Sequence, residues 1–153
     1  MANKSSASRH DTVGAWAKRC YFAGRALMDD ALRPHELGST QWYVLHHLAR
    51  DGPTMQRELL RSLQVERATL SVVVATLVRK GLVEQVPDHV DQRRKLLRMT
   101  PAGQALWDAL PDLSFIQEVA FGDVDEGDLA IAIRVLRTAT ERLDNHSRRE
   151  TGA

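Results

Sequence analysis

Cysteine occurs once in the 153 residues, at Cys20, so a single chain builds neither a disulfide nor a metal site of several thiolates. No apolar run approaches the roughly 18 residues that a membrane span requires. The opening stretch, residues 1–10 (MANKSSASRH), lacks the apolar segment of a secretory signal, and the chain is expected to remain in the cytoplasm. A Gly-rich phosphate loop, a hydrolase-like order of Ser, His and Asp, and a cluster of metal ligands are all missing, which argues against an enzyme; no cofactor is expected. Positive charge is missing from one long stretch. Between Met99 and Ile133 there is no Lys or Arg, while Asp108, Asp112, Glu118, Asp123, Asp125, Glu126 and Asp128 supply seven negative charges.

The remaining composition, 43% hydrophobic and 27% charged, is that of an ordinary globular domain rather than a disordered chain. The net charge of +1 conceals a segregation. Between Thr54 and Arg98 nine Arg and Lys residues face five acids, so the middle of the chain is basic by four. A basic segment followed by an acidic one implies one face suited to a polyanion and another that avoids it.

Apolar residues at Val13, Trp16, Ala17, Cys20, Gly24, Leu27, Met28 and Ala31 recur at three-four spacing and predict a long first helix within residues 11–32. Pro34 and Gly38 end it, and Ser39 or Thr40 is expected to cap a second helix whose core face carries Trp42, Leu45, Leu48 and Ala49. After Asp51-Gly52-Pro53, Thr54 is a candidate cap for a short helix over Met55–Leu63, and Glu66–Lys80 reads as a further helix with Leu70, Val73, Val74 and Leu77 inward. Gly81 stands where a helix end needs positive φ. Two apolar runs, Leu82–Val86 and Leu96–Met99, flank a charged link and predict a hairpin with a basic tip. Thr100-Pro101 opens a helix expected to reach about Phe121 with a break at Pro111, and Asp123–Asp125 starts a last helix with Leu129, Ile133, Leu136, Thr140 and Leu143 on one stripe. The expected organisation is a loose start (1–10), one domain over 11–147 and a loose end (148–153). Within that domain a winged helix occupies about 40–100, between helices at about 11–32 and 101–145.

Two short helices joined by a tight turn and followed by a basic hairpin form a winged helix-turn-helix, so the fold class is mainly α with a small β-hairpin wing. The second of these helices suits the major groove of B-DNA, about 12 Å wide, and an arginine-led loop suits the minor groove. The outward face of Glu66–Lys80 presents Arg67, Ala68, Ser71, Val72, Ala75 and Arg79. Small residues let the backbone approach base edges, Arg67 reaches guanine or phosphate, and Val72 is apolar enough to meet a thymine methyl. Thr54 and Gln56 on the preceding element, with Thr69, Arg94 and Lys95, complete the candidate DNA contacts. Taken alone, the same helix face reads equally well as a solvated surface. Basic residues at the hairpin tip as well favour a duplex.

Thr40-Gln41-Trp42-Tyr43-Val44-Leu45, Gly52-Pro53 with Glu58-Leu59-Leu60, Arg67-Ala68-Thr69-Leu70-Ser71 and Lys80-Gly81-Leu82-Val83-Glu84 resemble the core of the MarR family. The stretch from Asp91 to Gly103 resembles its Asp-x-Arg…Leu-Thr-x-x-Gly signature, with Met99 in place of the leucine. The resemblance covers about residues 13–143. It implies that Arg93 enters the minor groove braced by Asp91 through a charge-assisted hydrogen bond, and that Thr69 and Ser71 lie at phosphates or bases. Glu66 departs from a Ser-like cap and Val72 from a polar base reader. The resemblance also implies a homodimer through the terminal helices, for which the first helix supplies a physical reason: Trp16, Leu27 and Met28 have no evident partner except a second subunit. A two-fold dimer predicts a pseudo-palindromic double-stranded operator with half-sites about one helical turn apart.

Family members commonly bind phenolic or carboxylate ligands, and the chain is similar to regulators of nicotinic acid degradation. The implied effector is a small aromatic or hydroxypyridine carboxylate whose binding releases a repressor from DNA. Candidate ligand residues are Trp16 and Arg19 on the first helix and Tyr43, His46 and His47 on the second, an aromatic wall with a cation; Trp16 as dimer core and both histidines as surface residues is the alternative. Cys20 allows a redox-responsive regulator, although a cysteine packed on the apolar stripe is the preferred reading. A winged-helix interaction module without an operator is a further alternative, opposed by the basic wing.

Overall fold

In the computed structural model, which describes residues 11–91 and 93–152, the chain divides after Leu113 into two compact units. The loose start expected at residues 1–10 lies outside the described residues, as does Gln92 of the wing.

The first unit begins with Thr12, whose hydroxyl oxygen accepts from the Ala15 amide at 3.1 Å and so satisfies one of the free donors at the start of α1 (Val13–Leu32). A single 3-10 turn, Arg33–His35, leads to α2 (Ser39–Asp51). Gly38 is the cap residue of α2, its amide donating to Gln41 Oε1 at 3.2 Å. Ser39 and Thr40, expected as caps, sit inside the first turn and do something else: both hydroxyls accept from the Arg25 guanidinium, at 2.8 and 2.9 Å, and tie α1 to α2.

The segment after α2 also differs from expectation. Thr54 and Met55 form a short strand, β1, that pairs antiparallel with Leu97 and Leu96, so α3 begins one residue later (Gln56–Leu63). After α4 (Arg67–Arg79), Gly81 takes φ 74°, a left-handed conformation that a Cβ disfavours, and the chain turns into β2 (Val83–Pro87). β3 (Lys95–Met99) returns antiparallel, with Val83 opposite Met99 and Pro87 opposite Lys95, giving a three-stranded sheet of order β1-β3-β2.

The core of this unit is almost wholly aliphatic. Leu32, Val44, Leu45, Leu59, Leu70, Val74, Leu77, Val83 and Leu97 are essentially inaccessible, and α2 occupies the middle, packed by α1, α3, α4, α5 and β3. At about 1.5–3 kcal/mol per fully buried aliphatic side chain, this cluster fixes how α3, α4 and the wing are presented. Thr100 caps α5 (Pro101–Ala109): its hydroxyl accepts from the Gly103 amide at 3.0 Å and donates to the Gly81 carbonyl at 2.6 Å, which locks the base of the wing. Leu110 is extended (φ −70°, ψ 148°), as a residue before proline prefers, so Pro111 ends the helix.

On α1 the apolar stripe splits. Met28, expected to await a second subunit, is buried within its own chain, whereas Val13, Trp16 and Leu27 are exposed, as are Tyr21 and Phe22 off the stripe. Cys20 is exposed with a free thiol rather than packed.

The second unit holds α6 (Phe115–Phe121) and α7 (Glu126–Thr151). Asp125 caps α7, accepting from the Gly127 and Asp128 amides at 2.9 and 3.3 Å. Glu126 and Asp128 at its start and Arg148 and Arg149 at its end oppose the helix dipole. With that support the helix runs through Thr151, beyond the loose end expected from residue 148. Among the described residues of α7 none is buried, and Ile131, Ile133, Leu136 and Leu143 are exposed.

Candidate nucleic-acid interface

The orientation of α4 follows from its core side. Leu70, Val74 and Leu77 are buried against the first unit, which leaves Arg67, Ala68, Thr69, Ser71, Val72, Ala75 and Arg79 facing outward. Beside α4, the wing turn is closed by its own backbone: the Arg94 amide donates to the Asp91 carbonyl at 2.9 Å and the Asp88 amide to the Arg94 carbonyl at 3.1 Å. Asp91 does brace this turn, but not through the Arg93 guanidinium. Its carboxylate accepts from the Arg93 backbone amide at 3.0 Å and lies 3.8 Å from the Arg94 guanidinium, an Asx-type turn that leaves the Arg93 side chain directed by the backbone alone.

Between α3, α4 and the wing lies an open cleft of about 380 Å³. Five cations line it, Arg57 from α3, Arg67 from α4 and Arg93, Arg94 and Lys95 from the wing, together with Ser71 and Gln56 and with no acid. Five like charges gathered on one concavity repel one another, and although Arg94 lies 3.8 Å from Asp91, the cleft as a whole is suited to an anion. Gln56 is positioned by the Gln85 side-chain amide of β2, which donates to its Oε1 at 2.8 Å. Thr54, expected among the DNA contacts, does not reach this surface. It is 5% exposed and its hydroxyl donates to the Gly52 carbonyl at 2.8 Å, because β1 must pair with β3 there, so its side chain is turned away from the surface.

A second constellation lies in the same unit, where α2 meets α5. The His46 imidazole stacks on the Trp42 indole, with centroids 4.8 Å apart and planes 7° apart, and Trp107 of α5 leans on both at 5.5 and 5.7 Å. Tyr43 meets the edge of Trp42 at 5.2 Å. Burial pushes the Tyr43 phenol above its ordinary pKa, reinforced by Tyr21 and partly offset by Arg25. His46 is held below its ordinary value, first by burial and then by the Arg50 charge. The cluster is therefore aromatic and uncharged at neutral pH, with the Arg25 guanidinium at its edge.

A model of the MarR family matches residues 35–94, from the 3-10 turn into the wing. The transcriptional activatory protein BadR of Rhodopseudomonas palustris is 32% identical over 130 residues, spanning 80% of this chain and 71% of BadR. The chain belongs to the MarR family. It is a winged-helix transcriptional regulator, and a second such relative is the HTH-type transcriptional repressor NicR of Pseudomonas putida, 29% identical over 136 residues, 88% of this chain and 86% of NicR. Its fold is also that of Bordetella bronchiseptica BpsR, whose structure addresses regulation of DNA binding by 6-hydroxynicotinic acid; the TM-score is 0.73 at 23% identity, over 84% of this chain and 98% of that one.

In this MarR-family regulator six candidate DNA residues gather at one cleft, Gln56, Arg67, Ser71, Arg93, Arg94 and Lys95, and Ala68, Thr69, Val72 and Arg79 are exposed on α4. The candidate ligand residues do not gather. Trp16 and Arg19 pair on α1, the guanidinium 4.9 Å over the ring and the indole N–H bonded to Asp11 at 2.7 Å. His47 lies 3.2 Å from Asp51 one helical turn on, leaving Tyr43 and His46 in the aromatic cluster. Sequence reasoning missed Arg57, an arginine without a motif on a short helix. It also missed Trp107, Arg25 and the part that Trp42 plays, since helical periodicity assigned Trp42 to the core.

Proposed function

We propose that the chain is a homodimeric repressor that holds a pseudo-palindromic operator with α4 in the major groove and Arg93 in the minor groove, and that a small aromatic or heteroaromatic carboxylate releases it. The observation that carries the DNA half of this reading is the acid-free cleft lined by Arg57, Arg67, Arg93, Arg94 and Lys95 beside an exposed helix. Duplex phosphate supplies the dense negative charge such a cleft matches, and a narrow minor groove attracts an arginine. The exposed apolar side chains of α1 and α7 support the dimer.

The effector half rests on the Trp42, His46 and Trp107 rings, which offer flat apolar faces to an aromatic ring, with Tyr43 and Arg25 supplying a hydroxyl and a cation for its carboxylate. Arg25 already fixes α2 to α1 through Ser39 and Thr40. A carboxylate that draws this guanidinium away loosens the helix on which the winged helix is built. The sharing of a fold with BpsR, regulated by 6-hydroxynicotinic acid, points to the same ligand chemistry.

The test is a mobility shift of the purified protein on its own upstream DNA, repeated with aromatic and heteroaromatic acids and with peroxide. Specific binding abolished by one acid supports both halves; release by peroxide alone, lost in Cys20→Ser, replaces the acid with the exposed thiol as sensor. Absence of specific binding at moderate salt leaves an interaction module. Arg25→Ala and Arg19→Ala then separate the two candidate cations: acid response is expected to disappear with the first and persist with the second.

A further inference from the structure

We propose that Val72 is a specificity-determining residue that reads the 5-methyl group of a thymine, fixing a T·A pair at one position of each operator half-site. This rests on the operator reading above. At 100° per residue, the buried positions Leu70, Val74 and Leu77 define the inward direction of α4, and Val72 lies about 190° from their centre, at the crest of the outward face. It is 67% exposed. The residues one turn before it and three residues after it on that crest, Ala68 and Ala75, carry only methyl groups, so the Val72 isopropyl projects beyond them.

Nothing among the described residues accounts for a valine there. A β-branched side chain lowers helix stability relative to alanine, and an exposed one recovers no burial. Its polar backbone is already served, since the Thr76 hydroxyl donates to the Val72 carbonyl at 2.9 Å. The isopropyl group itself neither donates nor accepts. In the major groove every base edge presents a donor, an acceptor or both, and thymine alone among the four presents a methyl group. Guanine, cytosine or adenine beneath Val72 leaves a polar edge stripped of water and unpaired. Arg67 and Ser71, on the same helix, line the cationic cleft with Arg93 and Arg94, so one helix carries both residues suited to phosphate and the exposed apolar crest.

The experiment uses the full chain. Footprinting on its upstream DNA defines the protected operator, and each thymidine in it is then replaced by deoxyuridine, which removes only the methyl group. Affinity is measured by fluorescence anisotropy for the native protein and for Val72→Ala, whose circular dichroism is expected to match because the side chain is exposed. One thymidine per half-site should weaken native binding about fourfold on replacement, the effect of one buried methyl, and about fifteenfold when both half-sites are changed. Val72→Ala should bind the unmodified operator more weakly by the same factor and be indifferent to that replacement, a double-mutant cycle that removes any effect of uracil on DNA shape. A protected operator with no thymidine whose replacement separates the two proteins overturns the Val72 assignment alone. No protected operator at all overturns the operator reading, and this inference with it.

Discussion

Arg93 and His46 show how single side chains acquire their roles from the backbone around them. The Arg93 side chain is placed by a turn whose hydrogen bonds are local, the Arg93 and Arg94 amides donating to Asp91, so its replacement is expected to leave the wing intact. Arg93→Ala is expected to weaken operator binding and to make the slope of log affinity against log salt shallower by about one per half-site. Salt titration of binding checks this, and an unchanged slope removes Arg93 from the phosphate and minor-groove contacts. This residue was legible because the wing signature is contiguous. His46 was legible only as a residue off the core stripe, since its partner Trp107 is distant in the chain. Its native pKa is depressed by burial and by Arg50, so between about pH 6.5 and that lower value the unfolded chain binds the proton more readily than the folded one. Stability contributed by neutral His46 is complete above pH 6.5 and is lost as the pH falls toward the native pKa, below which the loss levels off. Thermal unfolding between pH 7.5 and 5.5 should therefore show a steeper decline for the native protein than for His46→Phe, which keeps a ring against Trp42; equal declines sink the assignment.

At the scale of elements, the join between wing and α5 illustrates why the Thr100-Pro101-Ala102-Gly103 sequence takes its form. Thr100 bonds both the Gly81 carbonyl and the Gly103 amide, and its own amide donates to the Leu82 carbonyl at 3.1 Å. The start of α5 is thereby drawn onto the backbone of the chain entering β2. A Cβ on Gly103 would lie 2.1 Å from the Leu82 carbonyl oxygen and 2.8 Å from Met99 Cγ. The first of these is backbone held by the Thr100 bond, so it cannot yield cheaply. Gly103→Ala is expected to destabilise the chain by about 1–3 kcal/mol, read as a fall of several degrees in Tm, and to weaken operator binding by shifting the wing. An unchanged Tm shows that the approach relaxes. The helices here announced themselves through three-four periodicity, Thr100-Pro101 and Gly81. β1 did not, because two residues carry no alternation and their strand character comes from pairing with Leu96 and Leu97 far along the chain. The same distance hid the burial of Thr54.

On the whole-molecule scale, the uneven distribution of charge and apolar surface is the organising feature. Basic residues converge from α3, α4 and the wing, while α1 and α7 each leave large apolar side chains exposed: Val13, Trp16, Tyr21, Phe22 and Leu27 on the one, Ile131, Ile133, Leu136 and Leu143 on the other. Val13, Trp16 and Leu27 on α1 and Ile133, Leu136 and Leu143 on α7 lie on stripes visible in the sequence, whereas Tyr21, Phe22 and Ile131 lie off them, and only the structure shows that Met28 belongs to the chain's own core. Exposed apolar area on this scale favours association, and a specific interface needs about 1,000 Å² or more of buried surface to persist. Leu136 and Leu143 lie two turns apart on α7, and neither is buried within the chain, so charging them is expected to disturb internal packing little. Leu136→Glu with Leu143→Glu is expected to convert a dimer into a monomer in gel filtration while helix content by circular dichroism stays constant. Because a monomer engages one half-site without the effective concentration that linkage to a second provides, operator affinity should fall by about 100-fold or more. A single half-site duplex should bind the variant and the native protein nearly alike, since α4 and the wing are unchanged in both. A monomeric native protein, or a variant that remains dimeric, moves the association surface away from α7. A variant that loses half-site binding as well has lost its fold rather than its partner.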